Sequence, residues 1–319
     1  MTKHTPLDQL DQWPQRVRST ISAMFGVPNA IEPLHGLSGA SVWRVTFAEQ
    51  RVIVKRTHSR READVYRLLA PHLAEQGVTC PALLWSGQDD DTHWLLLEEI
   101  PQPLPRSRWL ADRDLLGVLY RLHQSALPPV IEPFRPDWTD AMTAQVLDLF
   151  ADSTAHLQDQ LVRFQTLSQP LFRVKRWISG DPNPANWGLR ADGSIVLFDW
   201  ERLGLGAPAL DLAISVPGLG QPADFLAVAA GYLAHDSPAQ PDRAAVEELA
   251  REIAIAKTWN VVEFLSMAAS GDPALQSRIP ALAQALPAWL ATMAELVPDQ
   301  AWPDFDPGST GSATKRGGM

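Results

Sequence analysis

The chain has 319 residues, 45% of them apolar, with twelve Trp and a formal net charge of −10. The apolar content suffices for a sizeable core and argues against a disordered chain. The acidic balance disfavours nucleic-acid binding, which needs a basic face; residues 1–100 carry 10 basic and 12 acidic side chains, the remainder 17 and 25.

The opening MTKHTPLDQLDQW lacks a basic stretch followed by an apolar core, so no signal peptide is expected. No apolar run approaches the roughly 20 residues that span a bilayer, and a soluble cytoplasmic protein without membrane contact is expected. Residues 6–25 have helical spacing interrupted by Pro14, which predicts a helix from about residue 14 with Pro near its first turn. Residues 31–56 read as strand, glycine loop, strand, turn, strand. Val42, Arg44 and Thr46 alternate there with Trp43, Val45 and Phe47 in period 2. The loop GLSGAS at 36–41 lacks the spacing of a dinucleotide fingerprint or a Walker loop. A small-residue loop between strands can lie over a triphosphate through its backbone N–H groups; an ordinary hairpin turn has the same composition.

Lys55 closes the apolar strand VIVK, and READVYRLLAPHLAEQG follows with apolar residues at helical spacing and Glu62 in its first turn. A strand Lys paired with a Glu on the next helix is a way to hold an ammonium against the α- and β-phosphates of a nucleotide. Cys80, the single cysteine, precedes a Pro in an apolar setting and reads as a buried, inert thiol. The segment after Gly77 holds a strand, then a DDD turn and the strand THWLLLEEI. EEIPQPLPRSRW, with three Pro, reads as a hinge. If the chain binds a nucleotide, the backbone of Glu98 to Ile100 can bond an adenine edge.

From about residue 110 the pattern is mainly helical, over RDLLGVLYRLHQ, 137–152, 154–170, 221–234, about 240–270 and 276–297. Within it lies WISGDPNPANWGLRADGSIVLFDWE at 177–201. Two Pro and two Asn mark an irregular loop, and the run after it reads as strand, ADG turn, strand. That hairpin brings Asp199 back beside Asn186. Two carboxylates, Asp181 and Asp199, and one amide oxygen then surround one point, a donor set suited to a hard cation such as Mg²⁺. Asp211, in GLGAPALDLA, reads as buried. Residues 306–319 are Gly/Ser-rich and read as a flexible tail.

GDPNPANWG and VLFDWERLGLGAPALDLA, with the glycine loop, strand Lys and helix Glu upstream, resemble the aminoglycoside phosphotransferase and choline kinase superfamily, small-molecule relatives of the protein kinases. The resemblance implies an α+β, bilobal protein-kinase-like fold. Residues 1–100 form a nucleotide-binding lobe built on an antiparallel sheet with an inserted helix, and residues 101–305 a mainly helical catalytic and substrate lobe. It implies transfer of the γ-phosphoryl group of ATP or GTP to a hydroxyl of a small, possibly cationic acceptor. Asp181 would take the hydroxyl proton or orient the nucleophile, and Asn186 and Asp199 would hold Mg²⁺. Lys55, set by Glu62, would contact the α- and β-phosphates, and Ser38, Gly39, Ala40 and Ser41 would lie over them. Glu98 and Ile100 would meet the base, and Asp211 would brace the catalytic loop. One departure stands out: Ser179 occupies the place where the family usually has His before Gly-Asp. DWERLG resembles the aminoglycoside-type branch. Choline or ethanolamine, a sugar or homoserine remain alternative acceptors, and Ser179 motivates a second class of reading, a nucleotide-binding module without catalysis.

Overall fold

The computed structural model describes residues 10–34, 41–150, 155–236, 240–270 and 273–297. The tail at 306–319 and most of the glycine loop, Ser38, Gly39 and Ala40 included, lie outside them. Helix α1 (Gln15–Phe25) follows Pro14 and ends at Gly26, whose φ of 83° suits a residue without a side chain. Strands β1 (Ala30–Leu34), β2 (Ser41–Thr46), β3 (Arg51–Thr57), β4 (Leu83–Asp89) and β5 (Thr92–Glu98) form one antiparallel sheet in the order β1-β2-β3-β5-β4.

Alternation along the central strands assigns each face. Val52 and Val54 of β3, with Trp94 and Leu96 of β5, pack against Trp13 and against Val17 and Ile21 of α1. Ile53, Leu95 and Leu97 join the larger core on the opposite face. Lys55 shares that inner face by period 2. Trp13, Trp43 and Trp94 close the outer core, with Trp43 and Trp94 stacked at 6.0 Å.

Between β3 and β4 the expected single helix appears in three pieces: α2 (Arg60–Asp64), a π-helical turn (Val65–Leu69) and α3 (Ala70–Glu75). The cause is Pro71. It has no N–H to give, and its ring crowds the carbonyl four residues back, so the preceding turn widens until the Ala70 N–H reaches Val65 O.

The C-terminal part is mainly helical: α4 (Arg113–Gln124), α5 (Asp140–Asp148), α6 (Ala155–Arg173), α7 (Pro208–Ser215), α8 (Pro222–Leu233), α9 (Arg243–Ala269), α10 (Pro273–Gln276) and α11 (Ile279–Leu296). Asp112 caps α4 by accepting the N–H groups of Asp114 and Leu115, and Leu115, Leu119 and Leu122 are buried along one stripe. The expected α+β architecture, a sheet part followed by a helical part, is therefore the observed one. The short strands β6 (Gln102–Pro103), β8 (Trp187–Leu189) and β9 (Ile195–Leu197) form a second sheet, and β7 (Arg176–Ile178) pairs with β10 (Gly204–Gly206). Among the described residues, no helix is long and apolar enough to cross a membrane.

Candidate active site

Lys55 points from β3 toward the start of α2. Ser59 caps that helix by accepting the Glu62 N–H at 3.2 Å, which fixes Glu62 in the first turn. Lys55 Nζ lies 2.6 Å from Glu62 Oε1 and 2.9 Å from Asp199 Oδ1. Burial pulls the Lys55 ammonium down, but the charges of Glu62 and Asp199 outweigh it and leave its pKa above the usual value. Burial acts first on Glu62 too, raising its carboxyl against the pull of Lys55. Glu62 Oε2 is buried without a hydrogen-bond partner. Asp199 has a φ of 67°, rare for a residue with a side chain.

The segment carrying Asp181 leaves β7 through Ser179 and Gly180. Asp211, fully buried in the first turn of α7, holds both: Oδ2 accepts the Ser179 N–H at 2.7 Å and Oδ1 the Gly180 N–H at 2.8 Å. Gly180 has a φ of 78°, and a Cβ there would lie 2.2 Å from Arg202 O, so only glycine fits. Asn186 Nδ2 donates to Asp181 O at 2.9 Å and to Asp181 Oδ2 at 3.0 Å. The Asp181 carboxyl is pushed up to about 6, by burial first and then by the negative charge of Asp199, while Arg202 and Asn186 oppose the rise.

The hairpin turns at Arg190–Ser194, where Gly193 has a φ of 83°. Trp187 pairs with Leu197, and the Phe198 N–H donates to Asn186 O at 3.0 Å. Asn186 and Asp199 therefore stand on neighbouring strand ends. Carboxylate oxygens of Glu62, Asp199 and Glu201 lie within 4.8 Å of one another. These are oxygen donors of the kind a hard divalent cation takes, with the Lys55 ammonium bridging Glu62 and Asp199.

The remaining expected residues fall as follows. Ser41 opens β2, and its Oγ accepts from Arg56 at 3.0 Å. The Glu98 carboxylate is held by Arg190 at 2.6 and 2.7 Å and by the Ala82 N–H, which ties the hinge to the hairpin turn. Ile100 lies against Gly188, where a Cβ would meet Ile100 Cγ2 at 2.5 Å. Beside the expected residues, Trp187 and Trp200 are fully buried, Trp259 is buried with its N–H on Asp137 O, and Glu263 accepts from Arg202 through both oxygens at 2.8 Å.

Four contributors escaped the sequence reading. His123, on the buried stripe of α4, sets Nε2 3.0 Å from Asp211 Oδ2 and Nδ1 2.9 Å from the Tyr232 hydroxyl. A carboxylate only accepts, so Nε2 carries the hydrogen. The signal for His123 was a polar residue at i+4 from Leu119 on an apolar face. Phe134 exchanges backbone bonds with Leu203 and Leu205, and the Arg202 guanidinium lies 4.5 Å from its ring centre. Arg61 reaches across to Glu132 O and Glu201 O. No local pattern marks Phe134, Arg61 or Arg202, because their partners lie far off in sequence.

The model of the phosphotransferase enzyme family matches residues 30–249. Among solved structures, a microcompartment-associated aminopropanol kinase superposes with a TM-score of 0.58 at 16% identity, covering 88% of this chain and 95% of that one. A spectinomycin phosphotransferase bound to ADP and spectinomycin gives 0.56 at 13% identity, covering 89% and 94%. The choline kinase of Streptococcus pneumoniae gives 0.54 at 15% identity, covering 87% and 98%. These likenesses establish a shared fold. No curated protein sequence matches significantly. The family match spans more than half of the chain and includes Lys55, Asp181, Asn186, Asp199 and Asp211, and on that ground the chain belongs to the phosphotransferase enzyme family.

Proposed function

We propose that this protein is a small-molecule kinase that transfers the γ-phosphoryl group of ATP or GTP to a hydroxyl of a small acceptor. The observation that carries the reading is Lys55 held between Glu62 and Asp199, with the Asp181–Asn186 loop on the neighbouring strand end. Phosphoryl transfer needs positioning and charge neutralisation more than covalent chemistry by the protein. Lys55 receives the α- and β-phosphates. Asp199 and Asn186 hold Mg²⁺, which when bound neutralises charge on the phosphate oxygens. Asp181 accepts the acceptor's hydroxyl proton or orients that hydroxyl, with its carboxylate fixed by Asn186. The backbone of Glu98 to Ile100 meets the base, and the loop ending at Ser41 lies over the phosphates.

The acceptor we propose is a hydroxyl compound that also carries an amino group, of the aminoglycoside or amino-alcohol type. Two facts support this class: the acidic balance beyond residue 100, and the aminopropanol, choline and spectinomycin enzymes among the structural relatives. Ser179 does not disable the site in this reading, because its N–H is bound by Asp211 whatever its side chain. The test is release of ADP from Mg-ATP, or of GDP from Mg-GTP, with amino alcohols, aminoglycosides, aminocyclitols, sugars and homoserine. ADP or GDP formation with a matching phosphomonoester is expected for an amino-bearing acceptor. Tight Mg-ATP binding with no turnover on any of them would sink the reading in favour of a binding module.

A further inference from the structure

Two adjacent residues at the start of α2 send links to the segment that follows Asp199. Glu62 reaches it through Lys55, which touches Asp199. Arg61 reaches it directly, with its guanidinium spanning two main-chain oxygens at 2.8 Å: Nε donates to Glu132 O and a terminal nitrogen to Glu201 O. Those two carbonyls belong to chain segments that are themselves stitched together, Phe134 N–H to Leu203 O at 2.9 Å and Leu205 N–H to Phe134 O at 3.1 Å. A Cβ on Gly204 would lie 2.3 Å from Phe134 O, so the stitch has no room to slide. Arg61 also lies 5.8 Å from the Phe134 ring centre.

The two links respond differently to ligand. On the proposed reading, Lys55 turns to phosphates and Asp199 to the metal, so both ends of the Lys55–Asp199 contact acquire competitors. Arg61 is tied to the main-chain carbonyls of Glu132 and Glu201, which are not among the groups that the proposed phosphate and metal contacts take. Glu62 and Ala63 of α2 are buried, whereas Arg61 borders a cleft of about 490 Å³ with Ser59, Arg60, Asp64, Val130 and Glu132.

We propose that Arg61 is a positioning residue which keeps α2, and with it Glu62 and Lys55, in register with the Asp199–Glu201 segment when Mg-nucleotide is bound. The inference rests on the kinase reading above. It separates Arg61 from an ordinary stabilising contact, because its effect belongs to the liganded state.

The experiment compares wild type, Arg61→Ala and Arg61→Lys by thermal melting in EDTA and with Mg-ADP, and by calorimetric ADP affinity with and without Mg²⁺. In Arg61→Ala the Mg²⁺-dependent gain in ADP affinity should fall about tenfold, the scale of one charge-assisted hydrogen bond, while Mg-free ADP affinity stays within about twofold. The melting rise induced by Mg-ADP should shrink by about 2 °C or more beyond any loss in EDTA. Arg61→Lys keeps the charge but cannot span both carbonyls, so it should fall between the two. Equal melting losses in EDTA and in Mg-ADP, with the Mg²⁺ gain unchanged, would overturn the proposal and leave Arg61 a structural contact. A wild-type protein that binds ADP no better with Mg²⁺ would instead sink the kinase reading, and this proposal with it.

Discussion

Asp211→Asn tests how the loop carrying Asp181 is held. Asp211 is fully buried, and its two oxygens take three groups: the N–H of Ser179, the N–H of Gly180 and Nε2 of His123. The amide keeps the shape but replaces one acceptor with a donor. One backbone N–H then faces an N–H, and the surviving bonds lose the strength that the negative charge lent them. An unsatisfied buried donor costs about 1–3 kcal/mol and each weakened charge-assisted bond about 1 kcal/mol, so about 3–5 kcal/mol of folding stability should go. That leaves a domain of ordinary stability folded but weakened. Urea unfolding followed by tryptophan fluorescence reads the loss. A double-mutant cycle with His123→Gln should show coupling of about 1 kcal/mol or more, because the two side chains touch. Transfer should also fall, since the loosened N–H groups of Ser179 and Gly180 lie two and one residues before Asp181. A change within about 0.5 kcal/mol of wild type would refute the brace.

Two further perturbations follow from the same geometry. Gly180→Ala should cost about 3 kcal/mol or more, combining a left-handed backbone with a Cβ 2.2 Å from Arg202 O. Gly193→Ala, with φ +83° but nothing within 4 Å, should cost only about 1–2 kcal/mol. Equal costs in chemical unfolding would show that the clash is relieved. The second concerns Lys257 of α9, which is buried with Nζ on Ala213 O and Val216 O at the end of α7. Burial lowers its pKa from 10.5 to about 7. Between those values the unfolded chain holds a proton that the folded chain lacks, so this group's contribution makes stability rise with pH there and stay flat below pH 7. The two carbonyls favour the ammonium, so the gain should be smaller than the about 5 kcal/mol of the full shift. Unfolding measured from pH 7 to 8.5 stays below the usual thiol range near 9.0, above which the raised Cys80 thiol acts in the opposite sense. Lys257→Met should flatten the slope, and an unchanged slope would remove Lys257 as its cause.

The parts of the fold that sequence exposes are those written in local periods. The alternation that sets Val52 and Val54 on one face and Ile53 and Lys55 on the other is visible in VIVK, and the ADG turn announces the hairpin that returns Asp199 to Asn186. The strands β7 and β10 went unread because three residues carry too little alternation to register. The π-helical turn was hidden because the apolar spacing of VYRLLAPHL satisfies a plain helix, and Pro71 acts through the carbonyl before it. His123 and Arg61 were illegible for a different reason. Each looks locally like an ordinary helix residue, and its meaning lies in partners 88 and 71 or more positions away. The glycine loop, read as a phosphate cover, lies largely outside the described residues, so its role stands as a proposal.

The central claim is that Asp181 serves transfer while Asp199 serves the Mg-nucleotide. The most direct measurement is Mg-ADP affinity together with the transfer rate, on an acceptor found in the panel, for Asp181→Asn and Asp199→Asn side by side. The expected result is that Asp181→Asn binds Mg-ADP within about threefold of wild type and loses transfer by about 10²-fold or more, whereas Asp199→Asn loses the Mg²⁺-dependent part of binding itself. An Asp181→Asn enzyme that transfers at near wild-type rate, or an Asp199→Asn enzyme that binds Mg-ADP normally, would contradict the account.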